Sequence, residues 1–381
     1  MHDSATLLPK VMVFRAELLP PSETFVAGQA RALRRYSPFF AGLRRVPGGI
    51  LLEEEKVFTL TSRDVLLDKL HRRSFMWTGL APRLSLTLRE QTPALIHAHF
   101  AVDAAMALPF QKRLDVPMIV SLHGYDVTST EEAMNGYPTG RLYLRRKAEL
   151  LIRTSLFLCV SDHIHRKALE RGFPEAKLRT QAIGVDLEVF NPDPNIPREP
   201  IILFVGRLVE KKGCSHLIGA MALVENRHPD AQLIIVGDGP LRTALQIQAK
   251  ACLRRCTFAG AQPSGAVRRL MNRASVLAAP SIVAKGGDSE GLPIVLCEAQ
   301  AMQLPIAGFR GPGTSEAVNE NETALLVDPE DHHGLGEAIS ALLTDRALAS
   351  RLGSSGRDRV ERNFSLAKQT ALLEEKYSEI L

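Results

Sequence analysis

The sequence predicts an α/β protein of two domains, each built around a parallel β-sheet with helices on both faces. Three observations lead to this prediction. The chain has 381 residues, more than a single hydrophobic core usually serves. Short apolar runs alternate with stretches of helical periodicity, and a proline-rich segment stands near the middle of the chain.

The predicted strands are short continuous apolar runs, a pattern typical of strands that are buried on both faces of a sheet. They lie at 10–14, 95–98, 118–122, 156–160, 201–205, 232–236, 257–259, 276–279 and 306–307. Right-handed crossovers bring the carboxyl ends of parallel strands to one edge of each sheet. We therefore expect the ligand-binding loops at these edges.

Residues 191–200 contain four prolines, which prevent both a helix and a central strand. We interpret this segment as an interdomain linker. It separates an N-terminal domain, 1–190, from a C-terminal domain, 201–364. The last stretch, 365–381, reads as a charged amphipathic helix that could pack on either domain, including back onto the N-terminal one. We expect the two sheets to face each other across a cleft.

The composition excludes several classes of protein. Hydrophobic residues make up 45% and charged residues 23%, which is typical of a globular chain and not of a disordered or fibrous one. No apolar run approaches the ~20 residues that span a bilayer, and the first ten residues lack a secretory signal pattern, so we predict a cytoplasmic protein. Five scattered cysteines, an odd number, argue against a disulfide framework and favour reduced thiols.

The net charge of +5 is concentrated in the first half of the chain. Residues 31–89 contain 12 Lys and Arg against 5 Asp and Glu, interleaved with Leu, Phe and Trp. Such a surface suits peripheral contact with an anionic membrane or a phosphorylated acceptor, although a solvated helix face explains it equally well. No recognised nucleic-acid motif accompanies it, so we do not expect a nucleic-acid partner.

The first candidate site follows the predicted strand 201–205. Gly206 lets the chain leave the strand sharply, and Arg207 and Lys212 would project from the carboxyl edge of the sheet. Arg grips phosphate oxygens with two parallel hydrogen bonds and Lys supplies a point charge, so this pair suits a diphosphate. Ordinary loop charges are the alternative interpretation.

A second candidate site lies in the glycine-rich loop that follows the predicted strand 276–279. We predict a helix from about Leu292, so that the N–H groups of Gly291 and Leu292 form an anion cradle. Glu290 precedes this helix and Glu298 lies about two turns along it. The two carboxylates could bracket one elongated ligand, Glu290 at sugar hydroxyls and Glu298 at a ribose; capping or surface carboxylates are the alternative.

In the N-terminal domain, His123 comes directly after the predicted strand 118–122. There it can hydrogen-bond a sugar hydroxyl or stabilise charge that develops at a reacting carbon. Tyr125 and Asp126 follow it. We expect His97 and His99 to point to opposite faces of their strand, and therefore not to share one site.

The segment after the first predicted strand supplies three more candidates. Ser22 is a natural N-cap, and Glu23 and Thr24 follow it at the start of a helix. We place Ser22, Glu23 and Thr24, with Tyr125 and Asp126, on the acceptor side.

Several motifs together resemble the family 4 retaining glycosyltransferases, which have the GT-B fold. They are Gly206-Arg207-Leu208 with Lys212-Gly213, the pair Glu290 and Glu298 around Ser-Glu-Gly-Leu-Pro, Gly184-Val185-Asp186 with Phe190 and Pro192, and Leu325-Leu326-Val327-Asp328-Pro329. The Ser-Glu-Thr-Phe segment, His97-Ala98-His99-Phe100 and His123-Gly124-Tyr125-Asp126-Val127 resemble the branch that builds bacterial exopolysaccharide and capsule.

The resemblance implies roles for these residues. Arg207 and Lys212 would bind the donor diphosphate, Glu298 the nucleotide ribose and Glu290 the transferred sugar. His123, Glu290, Arg207 and Lys212 would form the catalytic group, and Gly291 and Leu292 would complete the donor site. The substrate would be a nucleotide-diphosphate sugar and the acceptor a glycan or a polyprenyl-diphosphate-linked saccharide.

The sequence contains no Asp-x-Asp pair of carboxylates, so we expect catalysis without a metal or other cofactor, with retention of anomeric configuration. A nucleotide-sugar 2-epimerase of the same fold and a non-catalytic polysaccharide-assembly partner remain as alternatives. A dinucleotide-dependent oxidoreductase is disfavoured, because no Gly-x-Gly-x-x-Gly motif follows either first strand.

Overall fold

A computed structural model describes residues 8–61 and 66–381. The chain divides into two compact units. Unit 1 comprises Met1–Ala182 and Ala367–Leu381, and unit 2 comprises Ile183–Leu366. The division at 182/183 falls ahead of the proline-rich segment 191–200, which lies within unit 2. There Asp193 donates its backbone N–H to Asn272 Oδ1 at 2.9 Å.

Within its described residues, unit 1 contains a seven-stranded parallel sheet of order β5-β3-β1-β6-β7-β8-β9 and a small parallel pair, β2 and β4. Its strands are β1 Lys10–Phe14, β2 Glu17–Leu18, β3 Ser37–Gly42, β4 Arg44–Arg45, β5 Val57–Thr59, β6 Pro93–His99, β7 Met118–Leu122, β8 Leu156–Cys159 and β9 Leu178–Thr180. Its helices are α1 Thr24–Arg31, α2 Leu66–Thr78, α3 Pro82–Glu90, α4 Ala101–Leu114, α5 Tyr125–Thr128, α6 Glu131–Asn135, α7 Pro138–Arg153 and α8 Asp162–Glu170.

Unit 2, all of whose residues are described, contains a six-stranded parallel sheet of order β12-β11-β10-β13-β14-β15. Its strands are β10 Glu199–Val205, β11 Gln232–Val236, β12 Cys256–Gly260, β13 Ala274–Ala279, β14 Ile306–Phe309 and β15 Ala324–Val327. Its helices are α9 Cys214–Arg227, α10 Arg242–Cys252, α11 Ser264–Arg273, α12 Ile294–Ala301, α13 Pro312–Ala317, α14 His332–Thr344 and α15 Arg346–Asn363.

The last helix, α16 Leu366–Ile380, packs on unit 1 from Ala367 onward. Leu373 and Tyr377 are buried in the hydrophobic core of that unit. Glu374 Oε1 accepts the backbone N–H groups of Arg34 and Arg35 at 2.7 and 2.6 Å. The C-terminal helix is therefore an integral part of the core of unit 1.

Both sheets reverse their strand order at one point, between β1 and β6 in unit 1 and between β10 and β13 in unit 2. At such a point the loops from two neighbouring strands leave in opposite directions and open a crevice, where ligands bind in α/β sheets of this kind. The fold thus positions the loops after β1, β6, β10 and β13 for binding.

All nine predicted strands are present, most of them with ends shifted by one or two residues. Strands β2, β3, β4, β5, β9 and β15 were not predicted. Three of them, β3, β4 and β5, lie inside the basic region 31–89, which is therefore not one amphipathic surface. Among the described residues of this region, α2 is the longest helix and has an exposed face.

Candidate functional site

In unit 2, two glycines hold the exits of β10 and β13 close together. Gly213 has φ +61°, and an added Cβ there would lie 1.8 Å from the carbonyl oxygen of Pro280. Gly206 packs against the stem of Lys212, whose Cδ would be 3.4 Å from an added Cβ. The chain can therefore place a lysine from the first loop directly beside the second loop.

Lys212 and Glu290 meet at this point, with Nζ and Oε1 2.8 Å apart. Their neighbours Lys211 and Asp288 form a parallel pair at 2.9 Å. Burial alone would raise the pKa of Glu290, but Lys212, Lys211 and a hydrogen bond from Ser281 together lower it below its ordinary value. The carboxylate is therefore ionised, and it holds the lysine at the strand exit.

Arg207 lies on the same edge, in the turn directly after Gly206, and its side chain is exposed. Its exposed position two residues beyond the end of β10 makes its guanidinium available to a ligand. Gly313 packs against the other side of the loop, because an added Cβ would lie 2.5 Å from the carbonyl oxygen of Glu290. The structure brings together Lys212 and Glu290, which were predicted in two separate candidate sites, and leaves Arg207 exposed.

The helix after the glycine-rich loop begins at Ile294, with Pro293 as its N-cap, and not at Leu292. The prediction of its start was wrong because proline fits the cap as well as the first turn. Gly291 and Leu292 are buried in the turn that precedes the helix. Gly291 and Leu292 therefore precede the helix, and their role as an anion cradle stays a prediction.

Glu298 lies on α12 and is partly buried. Burial raises the pKa of its carboxyl group to about 8. The group therefore keeps its proton at neutral pH, as a neutral carboxyl with one O–H donor and a carbonyl oxygen that can accept a hydrogen bond. Its protonation state thus differs from that of the ionised Glu290.

In unit 1 the corresponding crevice is occupied by a buried ion cluster. Arg15, directly after β1, donates from Nε to Glu23 Oε2 at 2.8 Å and forms an ion pair with Asp103. Its guanidinium also lies over the ring of Phe100, 4.3 Å from the centroid. Burial opposes the charge of Arg15, but Asp103 and Glu23 more than offset this and raise its pKa.

This cluster was missed in the sequence. The sequence did contain a signal for it. Arg15 is the first residue after the first predicted strand, and His123 was chosen as a candidate because it holds the same position after another strand.

Three histidines lie near the carboxyl edge of the unit 1 sheet. The rings of His97 and His99 stack with their centroids 4.3 Å apart, so the two side chains share one face of β6. The prediction that they point to opposite faces was wrong, because residues two apart in a strand lie on the same side. His99 Nδ1 lies 3.0 Å from His123 Nε2, whereas His97 binds Tyr377 Oη at 2.7 Å and Ser121 Oγ at 2.8 Å.

His123 is packed between Phe25 and Phe100, with ring centroids 5.0 and 4.5 Å away. Burial lowers its pKa well below the ordinary value, and the charges of Arg15 and His97 act in the same direction. The imidazole is therefore neutral at physiological pH. Its Nδ1 is buried without a hydrogen-bond partner among the residues that the structure describes, which leaves this nitrogen for a ligand.

The predicted acceptor-side residues mostly have structural contacts. Asp126 is buried, and its carboxylate accepts the backbone N–H groups of Gly124 at 2.9 Å and Ala101 at 3.0 Å. Tyr125 stacks on Phe100, with centroids 5.2 Å apart. These contacts hold the loop that carries His123.

Helix α1 begins at Thr24 with Glu23 as its N-cap residue, so the prediction of Ser22 as the cap was wrong. Ser22 is exposed in the preceding turn. The side chain of Glu23 turns inward to Arg15 instead of capping the helix, because the buried guanidinium needs a carboxylate.

In the described part of the chain, no group of three or more His, Cys, Asp or Glu side chains is arranged to hold a metal ion. The five cysteines are free. No helix among the described residues has the length and apolar character needed to cross a membrane.

Two family descriptions match consecutive parts of the chain. Residues 23–189 match glycosyltransferase family 4, and residues 188–359 match glycosyl transferases group 1. His123 lies in the first match, and Lys212 and Glu290 lie in the second. The chain belongs to glycosyltransferase family 4. This confirms the family that the sequence motifs indicate.

This family 4 chain is similar in sequence to two relatives. It is 30% identical over 254 residues to a GDP-mannose-dependent alpha-(1-6)-phosphatidylinositol monomannoside mannosyltransferase of Mycobacterium tuberculosis, an alignment that covers 63% of this chain and 64% of the relative. It is 27% identical over 278 residues to the amylovoran biosynthesis glycosyltransferase AmsK of Erwinia amylovora, covering 71% and 66%. The chain thus spans just under two thirds of the length of each relative.

Among solved structures, the family 4 chain is similar to Anabaena HepE in complex with UDP and glucose. The TM-score is 0.77 at 19% identity, and the match covers 97% of this chain and 99% of that one. At this identity the likeness concerns the fold. The two Rossmann-like units are those of the GT-B fold, which confirms the predicted fold class.

Proposed function

We propose that this family 4 chain transfers a sugar from a nucleotide-diphosphate sugar to a glycan or lipid-linked acceptor during synthesis of a bacterial surface polysaccharide. The observation that carries the proposal is the meeting of Lys212 and Glu290 at the crevice of the unit 2 sheet, 2.8 Å apart. A cation and a sugar-binding carboxylate in contact suit the junction between a diphosphate and the sugar it carries.

The diphosphate is bound by Lys212 and Arg207. The ammonium of Lys212 has three donors, so it can keep Glu290 while it binds phosphate oxygens. The exposed guanidinium of Arg207 can supply two parallel hydrogen bonds to the same group. Glu290 then lies where it can accept hydrogen bonds from the hydroxyls of the transferred sugar, and Glu298 accepts from the ribose.

The two cations stabilise the negative charge that grows on the diphosphate as it leaves. Fixed donors aimed at developing charge are the largest single contribution in many enzymes. With the leaving group neutralised in this way, we propose that catalysis needs no divalent ion. The family resemblance supports retention of configuration, with the leaving phosphate accepting the proton of the acceptor hydroxyl on the same face.

His123 contributes from unit 1. Its neutral ring offers Nδ1 as the free nitrogen, which can hydrogen-bond a hydroxyl of the transferred sugar. The buried cluster around Arg15 keeps the loops after β1 and β6 in place, and Asp126 holds the loop of His123. We therefore assign Tyr125 and Asp126 to positioning of this histidine, and we leave Ser22, Glu23 and Thr24 as proposed contributors to the acceptor side.

The relatives support the acceptor class. One is named for a mannosyltransferase acting on phosphatidylinositol monomannoside and another for amylovoran biosynthesis. A lipid-linked acceptor would place the enzyme at the cytoplasmic face of a membrane, in peripheral contact through the region 31–89.

The test is a panel of nucleotide-diphosphate sugars screened without acceptor. Thermal stabilisation identifies the donor that binds, and slow hydrolysis of that donor reports cleavage of the bond to the diphosphate. We expect one donor to stabilise the protein and to release a nucleoside diphosphate. An epimerised donor sugar would identify a 2-epimerase instead, and binding of no donor would contradict the proposal.

A further inference from the structure

His99 is a buried side chain of unit 1 that the proposed glycosyl transfer does not use. It is the last residue of β6, and His123 directly follows the end of the neighbouring strand β7. The Nδ1 of His99 lies 3.0 Å from the Nε2 of His123, and the two rings stack with their centroids 5.2 Å apart. A hydrogen bond thus joins the ends of two adjacent strands.

Both imidazole rings are neutral at physiological pH. Burial lowers the pKa of His99 well below its ordinary value, and the charge of Arg15 acts in the same direction. The same two causes lower the pKa of His123. A neutral imidazole has one N–H donor and one bare nitrogen that accepts. The bond between the two rings therefore contains one proton, which belongs to one of the rings.

Two arrangements of the protons satisfy this bond. If His99 donates from Nδ1, the proton of His123 lies on its other nitrogen, Nδ1, which becomes a donor to a ligand. If His123 donates from Nε2, its Nδ1 is bare and becomes an acceptor, while the proton of His99 lies on Nε2. The direction of the bond thus decides what His123 offers to a substrate.

Burial of the two outer nitrogens distinguishes these arrangements. His123 Nδ1 is buried without a hydrogen-bond partner among the described residues, whereas His99 Nε2 is not a buried atom of this kind. Leaving a buried N–H without an acceptor costs the desolvation of the donor, and such groups are rarer in proteins than acceptors that lack a donor. The second arrangement avoids this cost, because it puts the outer proton on His99 and leaves His123 Nδ1 bare.

Neighbouring groups hold His99 in place for this role. Its ring stacks on that of His97 with the centroids 4.3 Å apart, and its backbone carbonyl accepts a hydrogen bond from Arg15 Nη1 at 3.4 Å. His97 is itself bonded through both ring nitrogens. The Nδ1 of His99 therefore stays directed at His123 as a fixed acceptor.

We propose that His99 is a positioning residue that fixes the tautomer of His123, so that His123 presents a bare Nδ1 and selects a substrate group that donates a hydrogen bond. This inference rests on the proposed function, in which His123 contacts the transferred sugar. Hydroxyl and amide groups can donate to a bare nitrogen, whereas the oxygens of an ionised carboxylate or phosphate have only lone pairs. His123 therefore accepts an uncharged part of the sugar and rejects an anionic one, despite the nearby Arg15.

The first test needs no substrate. Nuclear magnetic resonance of the full chain, with isotopically labelled histidine, distinguishes a protonated ring nitrogen from a bare one, and His123→Gln identifies the signals of His123. We expect the wild type to carry the proton of His123 on Nε2 at neutral pH. A proton on Nδ1, or on both nitrogens, would overturn the proposal.

Two variants of similar size test the role of His99. Asn keeps an acceptor oxygen close to the position of the imidazole Nδ1, so His99→Asn should retain the Nε2 proton of His123. Leu has no acceptor, so in His99→Leu neither nitrogen of His123 has a partner, and the proton should be shared between Nε2 and Nδ1. An unchanged tautomer in His99→Leu, or a proton on Nδ1 in His99→Asn, would show that His99 does not fix it.

The matched control is His97→Leu. His97 lies on the same face of β6 and is as buried as His99, but its ring nitrogens bond Tyr377 and Ser121 instead of His123. We expect this variant to lose stability and to keep the tautomer of His123 unchanged. A tautomer shift equal to that in His99→Leu would indicate a general packing effect and would overturn the proposal. Thermal unfolding verifies that each variant is folded, and if His99→Leu does not fold, the wild type and His99→Asn still decide the direction of the bond.

Binding of the donor tests the consequence for selectivity. The donor that the nucleotide-sugar panel identifies is compared with analogues in which one sugar hydroxyl is replaced by fluorine, which cannot donate a hydrogen bond. At one position the analogue should bind about tenfold more weakly than the parent in the wild type and in His99→Asn, but only about twofold more weakly in His99→Leu. The absence of any position that responds to His99→Leu would contradict the selection of a donating group. The spectra are recorded without a donor, so failure of the tautomer assignment is distinguishable from failure of the proposed glycosyl transfer.

Discussion

Unit 1 and unit 2 both gather polar side chains at the carboxyl edge of a parallel sheet, where the strand order reverses. In unit 1 the central cation, Arg15, is buried and is bound by two carboxylates, and the histidines beside it are neutral. In unit 2 Lys212 forms an ion pair with one carboxylate, that of Glu290 in the neighbouring loop, and Arg207 is exposed. The positive charge at the crevice of unit 1 is thus balanced by protein carboxylates. The crevice of unit 2 keeps accessible positive charge.

The difference indicates which of the two sheet edges can bind an anion. A buried arginine with two carboxylates has no net charge to offer, so it acts as a brace for the loops after β1 and β6. A lysine and an arginine with one carboxylate between them keep an excess of positive charge. We therefore expect substitutions in unit 1 to act mainly on stability and those in unit 2 mainly on donor binding and turnover.

The largest effect is expected from Arg15→Met. This change removes the cation and leaves Glu23 and Asp103 buried together, and the loss of one partner of a buried pair costs about 3–5 kcal/mol in the free energy of unfolding. Denaturant unfolding followed by circular dichroism measures it. Arg44→Met, which breaks the partly exposed pair with Glu17, is the control and should cost less than about 1 kcal/mol. Equal costs would show that the Arg15 cluster is not a brace.

The second prediction concerns the accessible charges. Arg207→Ala or Lys212→Ala should lower turnover about a hundredfold, equivalent to about 3 kcal/mol of transition-state stabilisation. Steady-state kinetics with the identified donor measures the loss, and Lys250→Ala on α10 is the remote control. Turnover within threefold of the wild type in both variants would disprove the electrostatic account.

The third prediction distinguishes the two glutamates of unit 2. Burial raises the pKa of Glu298 to about 8 from an ordinary 4.5, so the folded chain holds a proton that the unfolded chain has released. The contribution of this group to stability therefore falls as the pH rises from about 4.5 to about 8. Glu298→Gln removes this loss, and its free energy of unfolding relative to wild type should be higher at about pH 7 than at about pH 5, by roughly 2 kcal/mol.

Urea unfolding at the two pH values measures this difference. Glu375→Gln, at an exposed position on α16, is the control and should leave the pH dependence unchanged. An identical pH dependence in Glu298→Gln and wild type would mean that the carboxyl group is ionised in the folded chain.

The smallest effect is expected where α16 meets unit 1. Tyr377→Phe removes the hydrogen bond to His97 Nδ1 and should cost about 1–2 kcal/mol, because a buried nitrogen is left without a partner. Tyr36→Phe removes a hydroxyl that bonds the less buried Ser378, and it should cost less. Thermal unfolding of the two variants measures both, and a reversed order would contradict the placement of Tyr377 in the core.

The sequence predicted most of unit 2 because its elements carry strong local signals. Each strand is a continuous apolar run, and Gly206, Gly213 and the Ser-Glu-Gly-Leu-Pro segment mark the loops that bear the site. The start of α12 was misplaced by two residues, since Pro293 satisfies either the cap or the first turn.

Unit 1 was less predictable for physical reasons. Strand β3 begins with Ser-Pro and lies among basic residues, so the sequence around it does not show the continuous apolar run that is typical of a buried strand. The cluster of Arg15, Glu23 and Asp103 joins residues up to 88 positions apart, and no local pattern reports such a contact. The docking of α16 likewise depends on long-range contacts of Leu373 and Tyr377, which an amphipathic pattern alone cannot assign to one unit.

The measurement that tests the central claim most directly is the affinity of the chain for a nucleoside diphosphate compared with its monophosphate, by titration calorimetry with and without EDTA. We predict that the wild type prefers the diphosphate of its own base at least about tenfold, and that Lys212→Ala removes most of this preference while monophosphate binding persists. Equal affinities for the two nucleotides, an unchanged preference in Lys212→Ala, or a preference abolished by EDTA would contradict the account.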